Sequence, residues 1–252
     1  MESLCTAMTA LPPPLRPWSK HVKNRCEPVQ IPEYWKTHDV LTFLADIGMY
    51  DASLYHDLDE AERERVLQFK SEYFKKRFVV SRSLLKCILR HILRAGNRDE
   101  IVLSRKKKGI LVKGSPDLCC SLSYSGNCIA LSVAKRKVGI DMEGVRRVGL
   151  RKIRSSPLFD SLKCRTGHDE SLHTLHVWTL VEAYAKLRDT NPFPLLAGPA
   201  FFKNARFVSY CIDKKAVLSL AWDHGRIQDT LLWIDQKTFS LTGKTTPCFI
   251  IR

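Results

Sequence analysis

The sequence predicts an α+β fold in which a helix followed by short strands occurs twice. Two stretches, SEYFKKRFVVSRSLLKCILRHILRAGN and LHTLHVWTLVEAYAKLRD, read as amphipathic helices. Each is followed by short β-like runs separated by turn residues. At 252 residues with 44% hydrophobic and 27% charged residues, the chain is long and apolar enough to bury a real core. The two helix-then-strand units meet near Lys135–Lys137, which divides the chain into an N-terminal half over 30–136 and a C-terminal half over 137–252.

Residues 1–29 carry Pro12, Pro13, Pro14 and Pro17 and are expected to form an extended, poorly ordered lead-in. A short strand is expected at VQIPEYW, and a brief helix at DVLTFLADIG, stopped by Gly48. The acidic start of DEAERERVLQF suits a helix N-terminus. The long helix after it carries apolar residues at 74, 78, 85, 88, 89 and 92, and Gly96-Asn97 is expected to end it. GILV, LCCSLS, NCIALSVA and VGIDME then read as strands, with turns at Gly114–Asp117 and Ser125–Asn127. The second helix is stopped by Asn191-Pro192, and ARFVSYCID, AVLSLAWD and TLLWID alternate as strands do.

With 41 Lys and Arg against 26 Asp and Glu, the net charge of +15 implies attraction to polyanions: nucleic acid, acidic proteins or phosphate-bearing small molecules. Nine cysteines, an odd number with no CxxC, read as reduced thiols of a cytosolic protein. No stretch approaches the ~20 apolar residues of a membrane span. The N-terminus lacks a basic region followed by a long apolar one, so no secretory leader is expected and the location is expected to be cytoplasmic.

In so basic a chain, the carboxylates of VGIDMEGVRR stand out. Asp141 and Glu143 lie two apart on a strand and so share a face. On the second helix Val177, Leu180, Val181, Tyr184 and Leu187 form one apolar stripe, while Trp178, Glu182 and Lys186 lie at i, i+4 and i+8 on another flank. Glu182 and Lys186 alone would be an ordinary helix-surface pair. Together, Asp141, Glu143 and Glu182 would make an oxygen-rich site for Mg²⁺, a hard ion that keeps several waters and binds substrate phosphates as well.

These stretches resemble the 4′-phosphopantetheinyl transferases of the surfactin-synthetase-activating type. VGIDMEGVRR and WTLVEAYAK are similar to the family's two signatures. LSYSGNCIALSVA resembles its SHSG segment, and ERERVLQFKSEYFKKRFVVSRSLLK its first long helical region. The resemblance covers about residues 59–190. It implies a pseudo-dimer of two similar helix-plus-antiparallel-sheet halves, monomeric in chain number, with coenzyme A in the cleft between them. The implied activity moves the phosphopantetheine arm of coenzyme A to a serine of an apo acyl or peptidyl carrier protein, releasing adenosine 3′,5′-bisphosphate.

By the same resemblance, Asp141, Glu143 and Glu182 would be the Mg²⁺ ligands, Glu182 also the base for the carrier serine, and Lys186 a phosphate contact that assists the leaving group. Arg82 and Ser83 match positions near the 3′-phosphate, and Arg65 a basic position on the preceding helix. Lys108-Gly109 falls at the segment against the adenine, and Ser123 matches the serine of SHSG. Among the departures from the pattern, LRDTNPFPLL follows Lys186 where the family continues with Gly-Lys-Gly-Leu, the Gly109-Ile110 step loses a lysine, and two single positions change. Tyr124 stands where the family has a phosphate-contacting histidine, and Val181 replaces a lysine and falls on the apolar stripe.

Other signals carry less. LTGKTTP lacks the first glycine of a phosphate loop, since position 238 is Thr, and reads as a strand-linking turn. His168, His173 and His176 have no cysteine or carboxylate spacing that supports zinc. SRKKKG reads either as a solvated turn or as a coenzyme contact. Trp178 reads as core packing. The alternatives are a catalytically weakened relative that binds carrier proteins and, from charge alone, a nucleic-acid-binding protein. The strands lack the aromatic-basic pattern of an RNA reader.

Overall fold

The computed structural model describes residues 25–26, 31–94, 101–106, 109–144, 151–162, 170–198, 202, 205–212, 216–223, 229–234, 241–242 and 249–251. Strand β1 (Arg25–Cys26) and helix α1 (Ile31–Thr37) precede β2 (Val40–Asp46), α2 (Glu60–Leu67) and the long α3 (Glu72–Leu93). Next come β3 (Leu103–Lys106), β4 (Gly109–Val112), β5 (Cys119–Ser125), β6 (Cys128–Ala134) and β7 (Val138–Gly144). Two short helices, α4 (Arg151–Arg154) and α5 (Pro157–Ser161), lead to the long α6 (Glu170–Arg188). Strands β8 (Ala205–Ile212), β9 (Ala216–Asp223), β10 (Asp229–Ile234), β11 (Leu241–Thr242) and β12 (Phe249–Ile251) follow.

The architecture is mixed α+β, with two sheets. The larger runs β1-β11-β10-β2-β6-β5-β4-β3 and is antiparallel except where β10 pairs with β2. The smaller runs β12-β8-β9-β7 and is antiparallel throughout. Because β10 and β11 join the larger sheet, it takes strands from both sides of the expected division at 136–137.

Side-chain alternation along the strands sorts the core into layers. Leu41 and Phe43 of β2 and Ile129, Leu131 and Val133 of β6 face Leu84, Leu85 and Ile88 of α3. The opposite faces of those strands, through Val40, Leu44 and Ala130, meet Ile140, Met142, Leu218 and Leu220 of the smaller sheet. The other side of that sheet, with Phe207 and Ala221, packs on Val177, Leu180 and Tyr184 of α6. The order is therefore helix, sheet, sheet, helix.

Two sequence expectations are corrected. IPEYWKT is helical (α1) rather than extended, and VLTFLAD is a strand (β2) rather than a helix. β2 lies between β10 and β6 and is buried on both faces through its first six residues, so it shows no alternation. A short apolar run of that kind has no periodicity to tell strand from helix. The expected end of α3 at Gly96-Asn97 lies outside the described residues. The helix itself closes at Leu93, with Arg94 left-handed at φ 53° and its N–H given to the Arg90 carbonyl. The helix at DEAERERVLQF is present as α2, started by a capping box between Asp59 and Glu62. The sharp β5–β6 hairpin turns at Gly126, whose φ of 53° is one that glycine adopts at little cost.

Cys87, Cys119, Cys120, Cys128 and Cys211 are free thiols among the described residues, and burial pushes Cys120 and Cys128 up to about 12. No helix among the described residues is long and apolar enough to cross a membrane.

Candidate functional site

The site forms where β7, at the edge of the smaller sheet, runs beside β5. An edge strand leaves every second backbone N–H without a ladder partner. Here β5 supplies side-chain acceptors instead. The hydroxyl oxygens of Ser121, Ser123 and Ser125 accept from the N–H groups of Ile140 at 3.1 Å, Met142 at 3.1 Å and Gly144 at 2.6 Å. The alternation in CCSLSYS thus has two uses. Its serines bind β7, while Cys120, Leu122 and Tyr124 face the α3 core.

Helix α6 covers β7 from the other side. Their approach is close because residue 139 is glycine: a Cβ there would sit 1.9 Å from the Ala183 carbonyl oxygen and 2.7 Å from the Leu187 nitrogen. Val177, Leu180, Val181, Tyr184 and Leu187 are buried, as their stripe predicts. Ala183 and Ala185 are buried too, so α6 is covered on most sides. Trp178, Glu182 and Lys186 are the half-buried line that remains, and all three face a cavity of about 600 Å³.

That cavity gathers residues from both sheets and both long helices. Arg65 of α2 and Phe74, Arg77, Phe78 and Arg82 of α3 line one side. Gly109 and Ile110 of β4 and Leu122, Ser123 and Tyr124 of β5 form the floor. Asp141 and Glu143 of β7 and Trp178, Glu182 and Lys186 of α6 complete it. Of the sequence-predicted site residues, Arg65, Arg82, Gly109, Ser123, Tyr124, Asp141, Glu143, Glu182 and Lys186 come together here. Ser83 does not: it is buried, and its hydroxyl donates to the Leu54 carbonyl at 2.7 Å. Lys108 lies outside the described residues.

The acidic end has defined chemistry. Asp141 is buried at 6% exposure, and its Oδ1 accepts from Ser123 Oγ and from Lys186 Nζ, both at 2.8 Å. The ammonium of Lys186 also donates to the carbonyls of Ile140 at 2.9 Å and Leu122 at 3.3 Å. An ammonium has three protons, so protein acceptors already take all of them. Lys186 therefore positions Asp141 and joins β5 to β7.

Asp141 Oδ2 is buried without a hydrogen-bond partner. A buried carboxylate oxygen left without a partner is costly, and a cation is one group that would satisfy it. Glu143 and Glu182 line the same cavity. Among the described residues, however, no three His, Cys, Asp or Glu side chains converge into a ready-made metal centre. The carboxylates fit an ion that keeps part of its water shell and anchors on Asp141, and they do not form a closed protein cage.

The basic end is fixed by buried ion pairs. Lys86 of α3, 2% exposed, meets Glu62 Oε2 at 2.6 Å and Asp59 Oδ2 at 3.1 Å. Arg82 Nε lies 3.8 Å from the other oxygen of Glu62. Burial raises the Asp59 carboxyl, but the Glu62 N–H and Lys86 outweigh it and hold the group below its ordinary range. This network clamps α2 on α3 and sets Arg65 and Arg82 on the cavity wall.

Sequence reasoning missed Arg77 and read Phe74 and Phe78 only as apolar positions of the helical period. Both rings line the cavity, and Phe74 is 44% exposed. Trp178, expected as core, packs against Phe193 with ring centroids 5.8 Å apart and presents its other parts to the cavity. The signal for Arg77 was its place between Phe74 and Phe78 on one helical face. Its remaining partner, Tyr124, is far away in sequence.

No protein-family model matches the chain, and no curated protein matches it significantly in sequence.

Proposed function

We propose that the chain is a Mg²⁺-dependent 4′-phosphopantetheinyl transferase that moves the phosphopantetheine arm of coenzyme A to a serine of an apo acyl or peptidyl carrier protein. One observation carries the reading. Nine of the eleven residues proposed for this activity, taken from six separate elements, line one cavity of about 600 Å³. That volume is of the size that holds a cofactor-sized ligand. The cavity draws its arginines, Arg65, Arg77 and Arg82, from α2 and α3, and its carboxylates, Asp141, Glu143 and Glu182, from β7 and α6. An elongated ligand with several phosphates and a reacting centre suits such a layout. The pairing of α3 with one sheet and α6 with the other supports the two-half, pseudo-dimeric description.

In this reading Arg65 and Arg82 hold phosphate oxygens at the basic end. Asp141, Glu143 and Glu182 would hold Mg²⁺, which supplies charge neutralisation on the pyrophosphate. Glu182 takes the proton of the carrier serine, directly or through water, as the serine oxygen attacks phosphorus. The bond to the bridging oxygen breaks, and adenosine 3′,5′-bisphosphate leaves with the electron pair. Lys186 keeps the Asp141 carboxylate oriented.

The test is mass spectrometry of a panel of apo carrier proteins after incubation with the protein, coenzyme A and Mg²⁺. One carrier should gain the mass of a phosphopantetheine arm. Asp141→Ala and Glu182→Ala should each abolish that gain while the fold survives by circular dichroism. Transfer retained in both variants would sink the assignment.

A further inference from the structure

Among the described residues four cations line the cavity, and a polar side chain or carbonyl faces three of them. Lys186 donates to two carbonyls and to Asp141. Arg65 donates to Gln68 Oε1 at 2.8 Å, and Arg82 faces Glu62 at 3.8 Å. Arg77 differs. Among the described residues it has no carboxylate and no hydrogen-bond partner. What surrounds it are rings: its guanidinium carbon lies 4.4 Å from the Tyr124 centroid, 4.7 Å from Phe74 and 5.7 Å from Tyr73.

Ring faces attract the flat cation but do not use its protons. The five N–H donors of a guanidinium lie in its own plane, arranged as a fork that matches two oxygens of one phosphate. The rings themselves are fixed. Tyr124 donates its hydroxyl to Ser81 Oγ at 3.0 Å, and Tyr73 donates to the Gly126 carbonyl on the β5–β6 turn. Tyr73 and Phe74 meet edge-on with centroids 5.4 Å apart. Arg77 is thus held in place by groups that leave its hydrogen-bonding capacity open, on the wall of a cavity. Such a side chain loses little freedom when an anion arrives.

We propose that Arg77, caged by Tyr73, Phe74 and Tyr124, is the cavity's receptor for a phosphate group of the ligand. The inference rests on the reading of the cavity as a phosphate-ligand site and assigns that task to a residue outside the family signatures. It also gives Tyr124 a purpose. A neutral phenol cannot supply charge, but its ring face orients a neighbour that does. A guanidinium keeps its charge where an imidazole loses it, so the pH dependence of binding at this corner follows the ionisation of the ligand's own phosphate groups.

The experiment is calorimetric titration of the full chain with inorganic pyrophosphate, and separately with coenzyme A, at pH 6, 7 and 8. Arg77→Gln should weaken both by about tenfold to a hundredfold, the range expected for losing charge-assisted hydrogen bonds. Its unfolding midpoint should stay at the wild-type value, and Arg77→Lys should recover part of the affinity. Tyr124→Phe, which keeps the ring, should bind within a few-fold of wild type, whereas Tyr124→Ala should weaken binding. Should Arg77→Gln fail to fold, Arg77→Met keeps the apolar stem against the rings and repeats the test. Unchanged pyrophosphate affinity in these Arg77 variants overturns the inference and leaves the transferase reading standing. Failure of the wild type to bind pyrophosphate overturns it as well. Arg77-dependent binding in a protein that modifies no carrier supports the receptor and overturns the transferase reading.

Discussion

Replacing Gly139 by alanine tests how α6 and β7 build the acidic end of the cavity. The new Cβ would lie 1.9 Å from the Ala183 carbonyl oxygen, whereas ordinary contact begins near 3.4 Å, so the helix must withdraw by about 1.5 Å, the difference between the two. The obstructing atoms are helix backbone and have no rotamer to escape into. Forced overpacking of this kind costs about 1–3 kcal/mol. The same withdrawal lengthens the Lys186 bonds to Asp141 and Ile140, now 2.8 and 2.9 Å, beyond hydrogen-bonding range. Asp141, 6% exposed, then loses its cation, and breaking a buried pair costs about 3–5 kcal/mol. We expect a total loss of at least about 3 kcal/mol, which is ~6–12 °C in Tm for a chain of this size. Urea unfolding followed by circular dichroism measures it, with carrier modification as the functional readout. A Gly139→Ala protein within about 0.5 kcal/mol of wild type, with transfer intact, would refute the argument that this contact sets the site.

Three further predictions concern the surroundings of the cavity. Lys86→Met leaves buried Glu62 with the Asp59 N–H at 3.2 Å and, as its nearest cation among the described residues, Arg82 at 3.8 Å, and should cost about 3–5 kcal/mol in urea unfolding. Ser121→Ala removes the acceptor of the Ile140 N–H outside the cavity lining. It should cost about 1–3 kcal/mol while leaving pyrophosphate affinity unchanged in calorimetry. His176 is lowered from 6.5 to about 4 by burial, with His173 adding to the effect, so the fold disfavours its charged form. Its contribution to stability is complete above pH 6.5 and is lost as pH falls towards 4. The loss between pH 7 and pH 5 is about 2 kcal/mol, and His176→Gln should remove that part of the pH dependence in unfolding midpoints.

Much of the candidate site was legible because its spacing is local. Asp141 and Glu143 share a strand face by simple alternation, and Trp178, Glu182 and Lys186 share a helical line at four-residue steps. The apolar stripe through Val181 was equally readable, since a buried face imposes its own period. Local spacing also explains the failures. VLTFLAD carries no alternation because β2 is buried on both faces, and a seven-residue helix such as IPEYWKT has too few turns to display a period. Ser83 sits next to Arg82 in sequence, but one residue is about 100° of helix. That rotation turns its hydroxyl from the cavity to Leu54.

The sequence by itself determined which side chains share a face within one element, and where most helices and strands run. Tertiary structure alone decided what those faces meet. That β5 serines satisfy the edge of β7, that Gly139 admits the backbone of α6, and that Lys186 is saturated by its own protein all depend on residues far apart along the chain. The same holds for Arg77, whose ring partner Tyr124 arrives from another element. Periodicity is a property of neighbours in the chain, whereas contact between elements follows from how layers pack, and no local spacing encodes it.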